Sequence, residues 1–189
     1  MRPPSPTASG SAFVTVMAKV SIVVGAGATL YAALQVLAAL VILRGEEVAR
    51  FLDFAATQPV PASALWVLSH ITALAVVFLL VSAAFLAVSV GLLRRRAWAW
   101  WGFVLFMVLG ALANFAGIAV IDLVFSWLDR LPQTPDAAPL LAELASLRAM
   151  SLAMAWVTAL AFGVLHALIV WQLCRPAVRA EFGWMQPPR

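Results

Sequence analysis

Residues 54–93 contain no charged side chain, and neither do residues 20–43, 97–121 or 149–174. That distribution of charge constrains the fold more than any motif does. A helix exposed to water needs a polar face, and uncharged stretches of this length have none to offer. A bilayer core about 30 Å thick is crossed by about 20 apolar helical residues, and each stretch is long enough. The longest opens with Pro59 and Pro61, so its helix is expected from Ala62. The expected spans are therefore about 20–43, 62–93, 97–121 and 149–174. Composition agrees: 65% of the 189 residues are hydrophobic and only 11% are charged, against about 45–50% and about 25% in soluble domains. Membrane strands would alternate polar and apolar residues, and no such alternation is present. The expected fold class is an all-α integral membrane protein, a four-transmembrane-helix bundle in up-down-up-down order.

Four spans put both termini and the central turn on one side, and the loops 44–61 and 122–148 on the other. The first side carries Arg2, Lys19, Arg94, Arg95, Arg96, Arg175, Arg179 and Arg189, opposed only by Glu181. The second carries Arg44, Arg50, Arg130 and Arg148, with Glu46, Glu47, Asp53, Asp122, Asp129, Asp136 and Glu143. Basic residues near span ends stay cytoplasmic. The expected topology is N-in/C-in in a cell inner membrane, with both loops facing out. Residues 1–19 are expected to be a disordered cytoplasmic tail, 20–174 the single transmembrane domain, and 175–189 a cytoplasmic amphipathic tail. The first apolar run is too long for a signal-peptide core of about 7–15 residues, so it is read as a retained helix.

The tryptophans fit the same boundaries. Trp98, Trp100, Trp101 and Trp171 fall at the inner edge, with Trp184 just beyond, and Trp66 and Trp127 fall near the outer edge. Indole favours the headgroup region, where its ring is half apolar and its N–H finds a partner. Arg94, Arg95, Arg96, Arg175 and Arg179, with Trp98, Trp100 and Trp101, are thus expected to anchor topology and meet anionic headgroups. Lipid, not nucleic acid, is the partner implied by the basic balance.

The loops carry apolar faces of their own. Val48, Phe51, Leu52 and Ala55 are spaced for one face of a short surface helix. Beyond Pro132, Pro135 and Pro139, Asp136 is placed to cap a helix that continues into the last span. These faces suit packing on lipid or the bundle, or docking of a membrane-protein partner or second copy. In the tail, Val178 and Phe182 share one face of a short surface helix, and Arg175 and Arg179 share another.

Polar groups inside a bilayer are costly and are functional candidates by default. They are Gln35, His70, Asn114 and His166, one in each span. The two histidines lie at depths differing by about 13 Å at about 1.5 Å per residue, which does not suit two axial ligands of one haem. Packing contacts between helices are the simpler use of all four. Asn114 is placed to donate across to Gln35 or a backbone carbonyl. Ser21, Gly25 and Gly27, and the pair Ala113 and Gly117, suit close helix approach. All eleven prolines lie outside the spans, so the helices are expected to be continuous, unlike the broken helices of many transporters. The single cysteine, Cys174, forms no intramolecular disulfide. The sequence has no paired intramembrane carboxylates, CxxC pair, glycine-rich phosphate loop or GxSxG elbow. No catalytic, cofactor or metal residue is therefore assigned, and a non-enzymatic role is expected: an accessory or interaction subunit of a membrane complex, or alternatively a small oligomeric transporter or channel subunit.

Two segments, GLLRRRAWAWW at 91–101 and RPAVRAEF at 175–182, resemble juxtamembrane motifs of uncharacterised bacterial four-helix inner-membrane proteins. In those, the second span ends in a GLL-basic-W pattern and the last in RPxVRxxF. The resemblance implies a bacterial inner membrane, and it assigns no activity and no catalytic residue.

Overall fold

The computed structural model describes residues 8–42, 50, 53, 57, 62–128 and 138–183. Its ordered elements are helices: α1 (Ala8–Ile42), α2 (Ala62–Ser69), α3 (Ile71–Leu93), α4 (Ala97–Leu128), α5 (Ala138–Leu173) and α6 (Pro176–Ala180). No strand occurs among the described residues. Four helical stretches are long and apolar enough to cross a membrane: Ala12–Val41, Ile71–Leu93, Ala97–Leu128 and Glu143–Leu173.

The boundaries differ from expectation in three places, each with a local cause, and agree with it in a fourth. First, helix begins at Ala8, inside the expected tail of 1–19. Val14 and Ala18 are fully buried at i, i+4 spacing, so they extend the packed stripe of α1 towards the N-terminus. Second, the span expected over 62–93 is interrupted at His70, which has φ −108° and ψ 11°. The His70 N–H is shared between the carbonyls of Trp66 (3.1 Å) and Val67 (3.2 Å). Ser69 Oγ also donates to the Trp66 carbonyl at 2.9 Å, and His70 Nδ1 lies 2.9 Å from the same oxygen. Side chains competing for one backbone acceptor deform the ladder. The expectation of continuous helices therefore fails here.

Third, α4 continues to Leu128 instead of ending at 121. The obstacle was Asp122, but Arg148 Nη2 lies 2.6 Å from Asp122 Oδ1, and the pair neutralises itself. Fourth, α5 reaches back to Ala138, one long helix as expected, with Pro139 in its first turn, where a missing N–H breaks no intrahelical bond. The proposed cap Asp136, the surface face of Val48, Phe51, Leu52 and Ala55, and the anchor Trp184 lie outside the described residues.

The chain divides into two compact units, residues 1–104 with 173–189, and residues 105–172. In the first, α1 packs along α3. Its contact stripe is Val14, Ala18, Ser21, Gly25 and Ala32, all buried, at spacings that keep to one helical face. Gly25 permits the approach, because a Cβ there would stand 3.2 Å from the Leu86 Cα. Gly27, expected on the same face, meets open space. The buried Ser89 hydroxyl donates to its own helix at Phe85 O, 2.8 Å away, so it costs little.

In the second unit, facing stretches of α4 and α5 meet through small residues and rings. Phe115 stands edge-on to Trp156, with centroids 6.3 Å apart, and a Cβ added at Gly163 would meet its ring at 3.4 Å. Polar side chains here bond mostly to their own helix: Asn114 Nδ2 donates to Gly110 O at 2.8 Å, and Ser126 Oγ to Asp122 O at 2.7 Å.

Candidate functional site

The best-defined polar arrangement lies where α3 turns into α4. The end of α3 is a Schellman motif: the Arg96 N–H donates to Gly91 O (3.0 Å) and the Arg95 N–H to Leu92 O (3.1 Å). The motif needs one left-handed residue, usually glycine, and here it is Arg95, at φ 55°. A non-glycine residue pays about 1–2 kcal/mol for that conformation, so the side chain must return something.

Its contacts show what it returns. Arg95 Nη2 donates to Thr15 Oγ1 of α1 at 2.9 Å. Arg95 Nε lies 3.1 Å from Glu181 Oε2, just beyond α6, and both side chains are mostly buried. One guanidinium thereby joins the first helix, the central turn and the C-terminal segment. Arg94 and Arg96, its neighbours, are exposed.

The tryptophans divide in the same way. Trp98 and Trp101 are exposed, whereas Trp100 is buried, and its Nε1–H donates to Leu173 O at 3.1 Å, satisfying an orphan carbonyl at the end of α5. Trp100 is thus a packing residue, unlike the exposed Trp98 and Trp101. The Arg179 guanidinium carbon lies 5.6 Å from the Trp100 ring centroid, within cation–π range. Val178 and Phe182 are buried against protein instead of facing lipid, and Arg175 stays exposed.

Glycines make the turn tight. A Cβ on Gly91 would stand 2.7 Å from Ala99 Cβ and 2.8 Å from a Trp98 ring carbon. A Cβ on Gly102 would stand 2.9 Å from Val88 Cγ2. The two segments quoted for the resemblance, 91–101 and 175–182, therefore form one cluster: Arg95 reaches Glu181, and Trp100 meets Arg179 and the end of α5.

The four intramembrane polar candidates do not join this cluster. Gln35 lines a hollow of about 450 Å³ between α1 and α3, with Ala39, Ile71, Leu74 and Phe78. His70 is exposed at the start of α3, stacked on Trp66 with centroids 4.6 Å apart. Both belong to the first unit; Asn114 and His166 belong to the second. Asn114 uses its amide N–H on Gly110 O of its own helix, in place of the expected bond to another span. His166 Nδ1 lies 2.6 Å from Phe162 O, and its Nε2 faces Gly110.

Three partners were missed from sequence: Thr15 and Glu181 for Arg95, and Arg148 for Asp122. The signal for the last was present, since two opposite charges flank adjacent spans on the same expected side. The arrangement as a whole can brace helix ends and present exposed cations beside exposed indoles. Among the described residues no group of three or more histidine, cysteine or acidic side chains converges as metal ligands would. Comparison with protein-family models, curated proteins and solved structures finds no match for this chain.

Proposed function

We propose that the protein is a multi-pass component of a bacterial inner membrane, with four spans up-down-up-down and both termini cytoplasmic. It acts without catalysis, as an accessory or interaction subunit of a membrane complex. One observation carries this reading. In the most apolar window of each span, only 6–11% of the residues are buried within the chain. Large side chains such as Val23, Leu34, Leu80, Leu112, Val157 and Leu168 stand exposed along them. So wide an apolar flank is available to lipid and to neighbouring membrane helices. The Arg95 cluster gives that flank a braced end. Exposed Arg94, Arg96 and Arg175, beside exposed Trp98 and Trp101, suit anionic headgroups at about 1 kcal/mol per cation.

Gentle detergent extraction at native expression, followed by mass spectrometry of co-purifying proteins, tests the subunit reading. A stoichiometric larger partner is expected; a homo-oligomer free of other proteins would count against it. A reporter fused after Arg95 is expected to signal from the cytoplasm, and a periplasmic signal would overturn the orientation.

A second reading, a small oligomeric transporter or channel subunit, draws on the interruption at His70. Interrupted helices line the sites of many transporters, and Ile71 and Leu74, just past the interruption, border the same hollow as Gln35. Solute flux in proteoliposomes that vanished on Gln35→Leu would favour it over the subunit reading.

A further inference from the structure

Within the second unit, α4 and α5 border a groove of about 420 Å³. Its walls include Met107, Ala111 and Phe115 from α4, and Gly163, His166 and Trp171 from α5. The volume falls in the range of small-molecule sites, about 300–1,000 Å³. Space exists because Ala111 and Gly163 stand where larger side chains would fill it.

His166 gives the groove its chemistry. Nδ1 lies 2.6 Å from the carbonyl oxygen of Phe162. Two lone pairs do not approach so closely, so Nδ1 carries a proton and donates it. In the neutral ring this fixes the tautomer and leaves the lone pair on Nε2. On α4, a Cβ added at Gly110 would stand 3.2 Å from Nε2. None of the groove residues contributed by α4 (Met107, Val108, Ala111, Leu112, Phe115) has an N–H or O–H in its side chain. The groove therefore presents a directed acceptor on α5 opposite an α4 wall whose side chains carry no N–H or O–H donor.

Depth narrows the donor. His166 precedes the end of α5 at Leu173 by two helical turns, about 10 Å at 1.5 Å per residue. If α4 and α5 cross the bilayer with Trp171 at the headgroup edge, Nε2 lies about 7–8 Å below that edge, on the hydrocarbon side. Phospholipid headgroups do not bring a hydroxyl to that depth. A molecule dissolved in the hydrocarbon does, and the rings of Phe115 and Trp171 suit a planar aromatic face. We propose that this groove binds a lipid-soluble phenolic ring of the prenylated hydroquinone class, with one hydroxyl donating to His166 Nε2. Binding alone is proposed, with no redox step.

The proposal rests on the membrane-spanning reading, so carbonate-resistant sedimentation of the full chain is checked first; failure there overturns both. Next, a tritiated short-chain prenylated hydroquinone, kept reduced, is titrated against the full chain in nanodiscs, with empty nanodiscs subtracted. Saturable binding is expected. The bis-methyl ether of the same molecule keeps the shape but has no hydroxyl to donate, and it is expected to compete about tenfold more weakly, the equivalent of about 1.4 kcal/mol. His166→Phe is expected to erase that preference, and Gly163→Leu to abolish binding by filling the groove. Ala167→Leu serves as a second filler if Gly163→Leu does not fold. No saturable binding, equal competition by the ether in the unaltered chain, or a preference that survives His166→Phe would each overturn the proposal. Blocked binding in a chain that has dimerised through this groove would overturn it too.

Discussion

The two units meet their polar obligations in different ways. In the first, the decisive bonds join residues far apart in the chain: Arg95 to Thr15, 80 positions away, and Trp100 to Leu173, 73 positions away. In the second, Asn114, Ser126 and His166 each turn to a carbonyl four residues back on their own helix, and the bonds that cross between its helices come from Arg148, which reaches Asp122 and Ser126. Burial follows the same division. The largest fully buried side chains, Val14, Ser89, Leu92, Phe103, Leu173 and Val178, all belong to the first unit. The second contributes Ile118 and Ala159 to the buried apolar set. Tertiary bonds make the first unit's helix ends interdependent. A helix that satisfies its own polar groups loses little by parting from its neighbour, which suits a surface that exchanges contacts with lipid or partners.

Substitutions at the braced end are therefore expected to cost far more than substitutions at self-satisfied sites. Trp100→Ala carries the largest effect. It empties a buried ring site, strips the Leu173 carbonyl of its donor and removes the ring under Arg179. Truncation of a buried tryptophan costs about 3–5 kcal/mol, read as reduced stability to thermal unfolding in detergent. Gly91→Val comes next, at about 1–3 kcal/mol for overpacking, because its first carbon already stands 2.7 Å from Ala99 Cβ. A tolerated Gly91→Val would break the account of the turn.

Arg95 separates side chain from backbone. Arg95→Ala loses the hydrogen bond to Thr15 and the ion pair with Glu181 and keeps the left-handed strain; Arg95→Gly loses the same contacts and relieves it. The glycine variant is expected to be the more stable of the two by about 1 kcal/mol, with both less stable than the unaltered chain. If Arg95→Gly were instead more stable than the unaltered chain, the contacts to Thr15 and Glu181 would be worth less than the strain they accompany.

Much of the architecture was legible because bilayer thickness and charge cost are blunt rules. The four uncharged stretches correspond to the four helices long and apolar enough to cross a membrane. Their ends were less legible, because cutting at charges treats every charge as exposed. Asp122 and Arg148 are a pair, and a pair sits where a lone charge would not. The interruption at His70 was illegible for a different reason: Ser69, His70 and the Trp66 carbonyl form a local competition that no hydropathy pattern records. The cluster was half legible. Both motifs stood out, yet Glu181 looked like the one acid in a basic tail, and nothing in its spacing tied it to an arginine 86 positions earlier. Arg95 likewise looked equivalent to Arg94 and Arg96, since only the turn geometry sends its side chain inward.

The smallest expected effect tests the comparison most sharply. Asn114→Leu removes a polar amide from the middle of α4, a change that hydropathy arguments would rank as important. Its Nδ2–H donates to Gly110 O, a backbone group at the i−4 position. A carbonyl in a helix keeps its intrahelical N–H partner when such a side-chain bond is lost, so no orphan is created. Leucine is moreover at least as good a helix former as asparagine. The unfolding shift is thus expected to be about 0.6 kcal/mol or less, the average for polar contacts between membrane helices. A loss near that of Gly91→Val would mean that Asn114 holds a partner beyond its own helix. In that case the second unit would hold a tertiary polar contact beyond the Asp122–Arg148 pair.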